Sequence, residues 1–249
     1  MTFSSRHPFS VSPPWVLFSL FQLREGNKFW AFKTMGTYSR LLTTSERMPF
    51  GLMLGTGGGR GFLLPNLRQY ALLTCWQRAE DAHNFMKVSL LAQGLQQRSK
   101  EVWSVLMQPV VSKGAWAGNN PFTPLADPLQ AHEPVAVLTR AAIRLPRLLE
   151  FLKHVPPVSQ TTDTAPGLLV KTGIGELPIV QQATFSLWKD TQSVDNFAYK
   201  MKEHREVVAK TRQRNWYSEE LFARFRPLQS WGTLGGKNPL QNIAASNPY

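Results

Sequence analysis

One internal duplication limits what this 249-residue chain can fold into more than any other feature. The string Gly51-Leu52-Met53-Leu54-Gly55-Thr56-Gly57-Gly58-Gly59 returns as Gly167-Leu168-Leu169-Val170-Lys171-Thr172-Gly173-Ile174-Gly175, an offset of 116. Trp76 with Asn84-Phe85 returns as Trp188 with Asn196-Phe197 at an offset of 112. Gly114-Ala115-Trp116-Ala117-Gly118-Asn119-Asn120-Pro121 returns as Gly232-Thr233-Leu234-Gly235-Gly236-Lys237-Asn238-Pro239 at 118. Order and spacing are kept throughout, and the small differences between offsets correspond to loop insertions.

Within each half the hydrophobic period alternates between two and 3.6 in the order strand, helix, strand, strand, helix, strand, which is the ferredoxin-like pattern. Strands are predicted near 15–22, 50–55, 68–76 and 101–111, then near 134–143, 167–171, 178–188 and 220–231. Helices are predicted near 26–45, 79–99, 146–154 and 191–213. An antiparallel sheet with helices on one face has a second apolar face to bury, and two such sheets in one chain can bury theirs against each other. The expected fold is therefore α+β, with tandem duplicated ferredoxin-like units forming a dimeric α+β barrel type. The expected boundaries are a tail at 1–13, a first unit at 14–121, a Pro-rich linker at 122–133, a second unit at 134–240 and a tail at 241–249.

Composition narrows the class. With 43% hydrophobic residues the chain can fill a core. A formal charge of +12 favours an anionic partner, but no block of five or more like charges occurs, so a basic nucleic-acid arm is not expected. The single Cys75, inside an apolar run, excludes an internal disulfide framework and fits a buried filler in a reducing compartment such as the cytoplasm. Nothing approaches the roughly 18–20 consecutive apolar residues of a spanning helix. Zinc-type Cys/His spacing and a nucleophile elbow are missing, and the glycine segments precede strand-like rather than helix-like sequence, which argues against a nucleotide loop.

The most informative side chain is His204. Phe197, Met201, His204, Val208 and Thr211 are spaced 4, 3, 4 and 3, so they share one helical face turned toward the sheet. Two readings are open: a hydrogen-bonded core histidine, or an axial iron ligand whose second ring nitrogen bonds a carbonyl or carboxylate. At the offset of 112 the first half carries Ala92, so one such site per chain is expected. Arg205 and Arg212 flank this face, either as solvated cations or as partners for propionates. Arg140 lies inside the apolar strand Val137–Ile143 and must be paired, wet or lining a cavity. Gly173-Ile174-Gly175 reads as a turn that allows close backbone approach to a flat ligand.

Phe29-Trp30-Ala31-Phe32-Lys33, Thr139-Arg140-Ala141, Val155-Pro156-Pro157-Val158-Ser159, Gln182-Ala183-Thr184-Phe185-Ser186 and, most distinctively, Trp216-Tyr217-Ser218-Glu219-Glu220-Leu221-Phe222-Ala223-Arg224-Phe225 resemble the spheroidene monooxygenase family. The likeness runs from about Phe29 to Leu240, with departures at Leu152 and Leu234, where aromatic residues are the more usual choice. The resemblance implies a haem b enzyme that uses dioxygen and an electron donor such as a ferredoxin to introduce a keto group into an acyclic carotenoid. By analogy it also implies His204 as iron ligand; with haem held there, Gly173, Ile174, Gly175, Phe185, Met201 and Arg205 are the expected cofactor contacts and Arg140 the expected catalytic group. A carotenoid dissolves in membranes, so peripheral docking on an anionic lipid surface is expected, which the net charge suits. The alternatives on this scaffold are a haem-free α+β barrel binding protein and a haem dehydratase or haem-binding carrier.

Overall fold

A computed structural model describes residues 14–38, 47–58, 64–125, 127–148, 150, 165–177, 180–200, 214 and 216–241. Eight strands close into an antiparallel barrel: β1 (Trp15–Leu23), β2 (Phe50–Gly58), β3 (Leu64–Trp76), β4 (Ser99–Gly114), β5 (Val135–Ile143), β6 (Leu168–Leu177), β7 (Gln181–Trp188) and β8 (Tyr217–Gly232). Their order around the barrel is β1-β3-β2-β6-β7-β5-β8-β4. Each half contributes one ferredoxin-like sheet, β2-β3-β1-β4 and β6-β7-β5-β8, and the sheets join at two seams, β2 with β6 and β4 with β8. Helices α1 (Lys28–Tyr38), α2 (Ala79–Val88) and α3 (Leu90–Arg98) cover the outside of the first sheet, and α4 (Thr191–Lys200) packs outside the second.

Sheet register gives the duplication a sharper form than the sequence does. Ser19 pairs with Leu72 and Ser104, as Thr139 pairs with Thr184 and Phe222, so β1 maps onto β5 at 120, β3 onto β7 at 112 and β4 onto β8 at 118. The remaining pair, β2 and β6, also maps at 120, because Met53 faces Leu72 as Gly173 faces Thr184. The glycine strings matched by eye at 116 are therefore four residues out of spatial register. At the seams, Gly55 pairs with its own counterpart Gly175, and Gln108 with its counterpart Arg226, which places the pseudo-two-fold axis through both junctions.

Four sequence expectations change. Gly173-Ile174-Gly175 is not a turn but part of β6, where Gly175 pairs with Gly55 across the seam. The helix expected at 79–99 is broken, since Ser89 leaves helical geometry and its Oγ accepts the Ala92 N–H at 3.5 Å as the cap of α3. Leu145–Arg147 forms a 3-10 turn where an α-helix was expected to begin near 146. Phe122, inside the segment expected as linker, is 2% exposed in the barrel core.

Side chains fill the barrel interior. Phe18 stacks on Phe185 with ring centroids 3.8 Å apart, and Trp103, Phe122, Phe225 and Leu138 fill the surrounding space. After β4 the chain turns through Trp116–Asn119, and after β8 through Leu234–Lys237, so that Trp116 and Leu234 close opposite ends. Both turns are held by one device repeated at 118. Glu219 accepts the Ala117 and Gly118 N–H groups at 2.9 and 2.7 Å, and Glu101 accepts those of Gly235 and Gly236 at 2.9 and 2.7 Å. Asn120 and Asn238 each accept a serine hydroxyl at 2.8 Å and a backbone N–H at 3.0 Å.

Candidate functional site

The two outer sheet faces stand at equivalent positions but are surfaced differently. Across the first, consecutive rows read Met53–Leu72–Ser19–Ser104 and Gly55–Tyr70–Phe21–Val102. Met53, Leu72, Tyr70 and Phe21 are at most 2% exposed beneath the helices. Across the second, the same rows read Gly173–Thr184–Thr139–Phe222 and Gly175–Gln182–Ala141–Glu220. Large apolar groups have been exchanged for glycine, alanine, threonine and glutamine. The result is a shallow floor in the centre of a sheet, where Thr139 is exposed although its strand is paired on both sides.

Helix α4 borders this floor. Asp190 starts the helix by accepting the Ser193 N–H at 2.7 Å, and burial, which alone would raise the Asp190 carboxyl, is outweighed by these Ser193 bonds and by Lys189, which hold it below the usual carboxylate range. Val194 and Phe197 then pack on Val135, Val137 and Trp188. Arg224 on β8 ties the helix down through Asp195 at 2.7 Å. A flat apolar molecule placed on the floor would meet backbone at Gly173 and Gly175, small side chains at Ala141 and Val137, and hydroxyls at Thr139 and Thr184. This chemistry suits a planar macrocycle with few polar contacts.

Arg140 points the other way, into the barrel end closed by Trp116. It is 3% exposed, lies 4.9 Å over the Trp116 ring, and pairs with Glu176 at 3.5 Å and, more closely, with Glu219. Trp116 Nε1 donates to Glu176 at 2.6 Å. Burial pushes the Glu219 carboxyl up, but the Gly118 and Ala117 N–H groups and the Arg140 guanidinium outweigh it and hold the group below the usual carboxylate range. The crevice beside Arg140, walled by Trp116, Glu176, Gln181 and Gln182, is too tight for a water molecule and so for a carotenoid.

The candidate residues thus fall into separate places. Gly173 and Gly175 belong to the outer floor, whereas Ile174 and Phe185 point into the barrel core on the opposite face of their strands, at 3% and 0% exposure. Arg140 lies at the barrel end. His204, Met201 and Arg205 lie outside the described residues. Ala92, the counterpart of His204 at 112, is fully buried in the helical layer over the first sheet. Among the described residues no group of three or more His, Cys, Asp and Glu side chains could hold a metal, and no helix is long and apolar enough to cross a membrane. Sequence reasoning missed Thr139, Thr184 and Ala141 as floor residues. Aligning the halves by strand register would have found Thr184 and Ala141, where the large outward Leu72 and Phe21 become small, but not Thr139, whose counterpart is Ser19.

Comparison with known proteins adds the following. A family profile described as a domain of unknown function (DUF3291) matches residues 131–225. The chain is 34% identical to a spheroidene monooxygenase of Rhodobacter capsulatus, over 85% of this chain and 88% of that protein. It is 32% identical to a spheroidene monooxygenase of Cereibacter sphaeroides, over 94% of this chain and 72% of that one. Among solved structures, an aldoxime dehydratase in complex with butyraldoxime superposes with a TM-score of 0.54 at 10% identity, covering 88% of this chain and 80% of its own. A second aldoxime dehydratase structure gives 0.51 at 9% identity, covering 91% and 89%. These superpositions concern the fold alone.

Proposed function

The chain belongs to the spheroidene monooxygenase family, and from that premise we propose that it is a haem-dependent oxygenase that introduces a keto group into an acyclic carotenoid. The observation that carries the haem reading is the floor on the outside of the second sheet, which the first sheet lacks. One half has the surface to accept a planar group, and only that half has a histidine at the matching helix position.

In this reading Gly173 and Gly175 let the backbone approach the macrocycle, because a side chain at either position would stand in its plane. In sequence, Phe197, Met201 and His204 keep helical spacing, so a helix continued past Lys200 would carry His204 on the face that α4 turns toward Val137 and Trp188. His204 would hold the iron and Arg205 a propionate. When bound, haem supplies the activation of dioxygen. The rest of the site excludes water with Val137, Ala141 and Phe222 and orients the polyene along the floor. Arg140 and Phe185 enter as parts of the barrel structure, since neither reaches the floor. Electrons would come from a ferredoxin-type donor, and an anionic lipid surface would present the substrate, consistent with the +12 charge and with Phe29 and Phe32 exposed beside Lys28 and Lys33 on α1.

Two experiments test the proposal. Purified protein titrated with haemin develops a Soret band that His204→Ala abolishes; a colourless wild-type protein refutes the cofactor reading and leaves a haem-free binding protein. Expression in a carotenoid-producing bacterium yields pigments heavier by the added oxygen, and unchanged pigment masses refute the substrate reading.

A further inference from the structure

We propose that the Thr139 hydroxyl is a ligand-contacting group, a hydrogen-bond donor to a small oxygen-containing ligand held between the cofactor and the second sheet. The inference rests on the haem reading above and adds a residue that reading does not use.

Its starting point is a built-in control. Ser19 occupies the equivalent place in the first sheet, and there the hydroxyl is fully buried, bonded to Ser104 Oγ at 2.8 Å and set against Met86 of α2. A hydroxyl at this position therefore has a structural use when the neighbouring strand supplies a partner. In the second sheet the residue opposite Thr139 is Phe222, the counterpart of Ser104, and a phenyl ring offers no lone pair. The other neighbour is Thr184, and among the described residues neither Thr139 nor Thr184 makes a side-chain hydrogen bond. The half of the duplication that gained the open floor has kept a hydroxyl at its centre and lost the partner that would have satisfied it.

Packing gives the same answer. Val137 and Ala141, two residues to either side on the same face, are 7% and 9% exposed, yet Thr139 between them is exposed. An accessible hydroxyl set between apolar neighbours along its own strand can orient a ligand rather than merely accommodate it, because a donor at a fixed place selects which atom of the ligand faces it. Threonine is also suited sterically, since its β-branch restricts χ1 and holds the hydroxyl in one direction.

Carbon monoxide on the reduced, haem-loaded full-length chain reads this contact without any dependence on turnover. The C–O stretching band, measured on the loaded fraction, moves to higher wavenumber in Thr139→Val, which keeps the shape and removes the donor, and returns toward the wild-type position in Thr139→Ser. Carbon monoxide affinity falls about fivefold in the valine variant, the equivalent of about 1 kcal/mol for one neutral hydrogen bond. Independently, Thr139→Phe introduces a bulky side chain at the centre of the floor and reduces haemin uptake by at least about tenfold while far-UV circular dichroism is retained. Haem-loaded wild type and valine variant with the same band and affinity overturn the inference alone, as does a phenylalanine variant that takes up haemin normally. A wild-type chain that binds no haemin overturns both it and the cofactor reading.

Discussion

Replacing Arg140 with leucine separates a structural role from a chemical one, and the duplication supplies the size of the expected effect. The counterparts of Arg140, Glu176, Glu219 and Trp116 are Leu20, Thr56, Glu101 and Leu234, so the opposite barrel end closes without a cation. Removing one partner of a buried ion pair costs about 3–5 kcal/mol. Here Glu176 and Glu219 keep 27% and 23% of their side-chain surface in water, and Glu219 retains two backbone donors, so the cost is nearer 2–3 kcal/mol. With a urea dependence of about 2–3 kcal/mol/M for a chain of this size, the unfolding midpoint of Arg140→Leu falls by about 1 M. The double variant Arg140→Leu with Glu176→Thr imitates the opposite end and recovers part of the loss, although the Trp116 indole N–H then lacks its acceptor. Equilibrium urea unfolding followed by tryptophan fluorescence measures both. A single variant within about 0.5 kcal/mol of wild type that has nevertheless lost oxygenase activity would show that the guanidinium acts on the reaction and not on the barrel.

Three other expectations concern the fold and its surroundings. Because the folded state holds the Glu219 carboxyl below its unfolded value, its contribution is complete above the ordinary glutamate range and disappears as pH falls through the depressed value; Glu219→Gln should flatten that acid limb of a stability–pH profile, and an unchanged limb would exclude Glu219 as its source. Phe185→Leu opens space beside Phe18 and should cost about 1–3 kcal/mol in thermal unfolding while leaving haemin affinity within about twofold; a large loss of haemin affinity would place the ring nearer the cofactor than the barrel core. Gly114→Ala and Gly232→Ala, at φ +91 and +74, would each bring a Cβ to 2.1 Å from a carbonyl oxygen, so both should destabilise by more than about 1 kcal/mol in the same assay, and a neutral result would refute the tight strand exit.

Much of the architecture is legible in the chain because hydrophobic period is a direct record of which face is buried. Val16 to Phe21 form an apolar run interrupted only by Ser19, and β1 is legible as a strand buried on both faces. Legibility fails where glycine removes the record, as in β6, where Gly173 and Gly175 put no side chain on the outer face and the string Gly173-Ile174-Gly175 suggests a turn. It fails again where a residue of ordinary type has an extraordinary neighbour. Arg140 was visible as a charge in an apolar strand, but Glu219, 79 residues away and part of the string Tyr217-Ser218-Glu219-Glu220, carries no local sign of pairing with it. Thr139 was invisible for the opposite reason, since threonine in a strand is unremarkable until its counterpart Ser19 is seen buried and bonded.

The two seams of the barrel are unequal. Between β4 and β8 the ladder runs from Trp103 with Gly232 to Gly114 with Leu221, whereas among the described residues the ladder between β2 and β6 consists of Gly55 with Gly175 and Thr56 with Ile174. A ring closed by one long clasp and one short clasp breathes at the short one. Slow fluctuations of this molecule should therefore begin beside Gly175, at the rim of the floor, so that the edge of the candidate site is also the place where the cylinder most readily unzips.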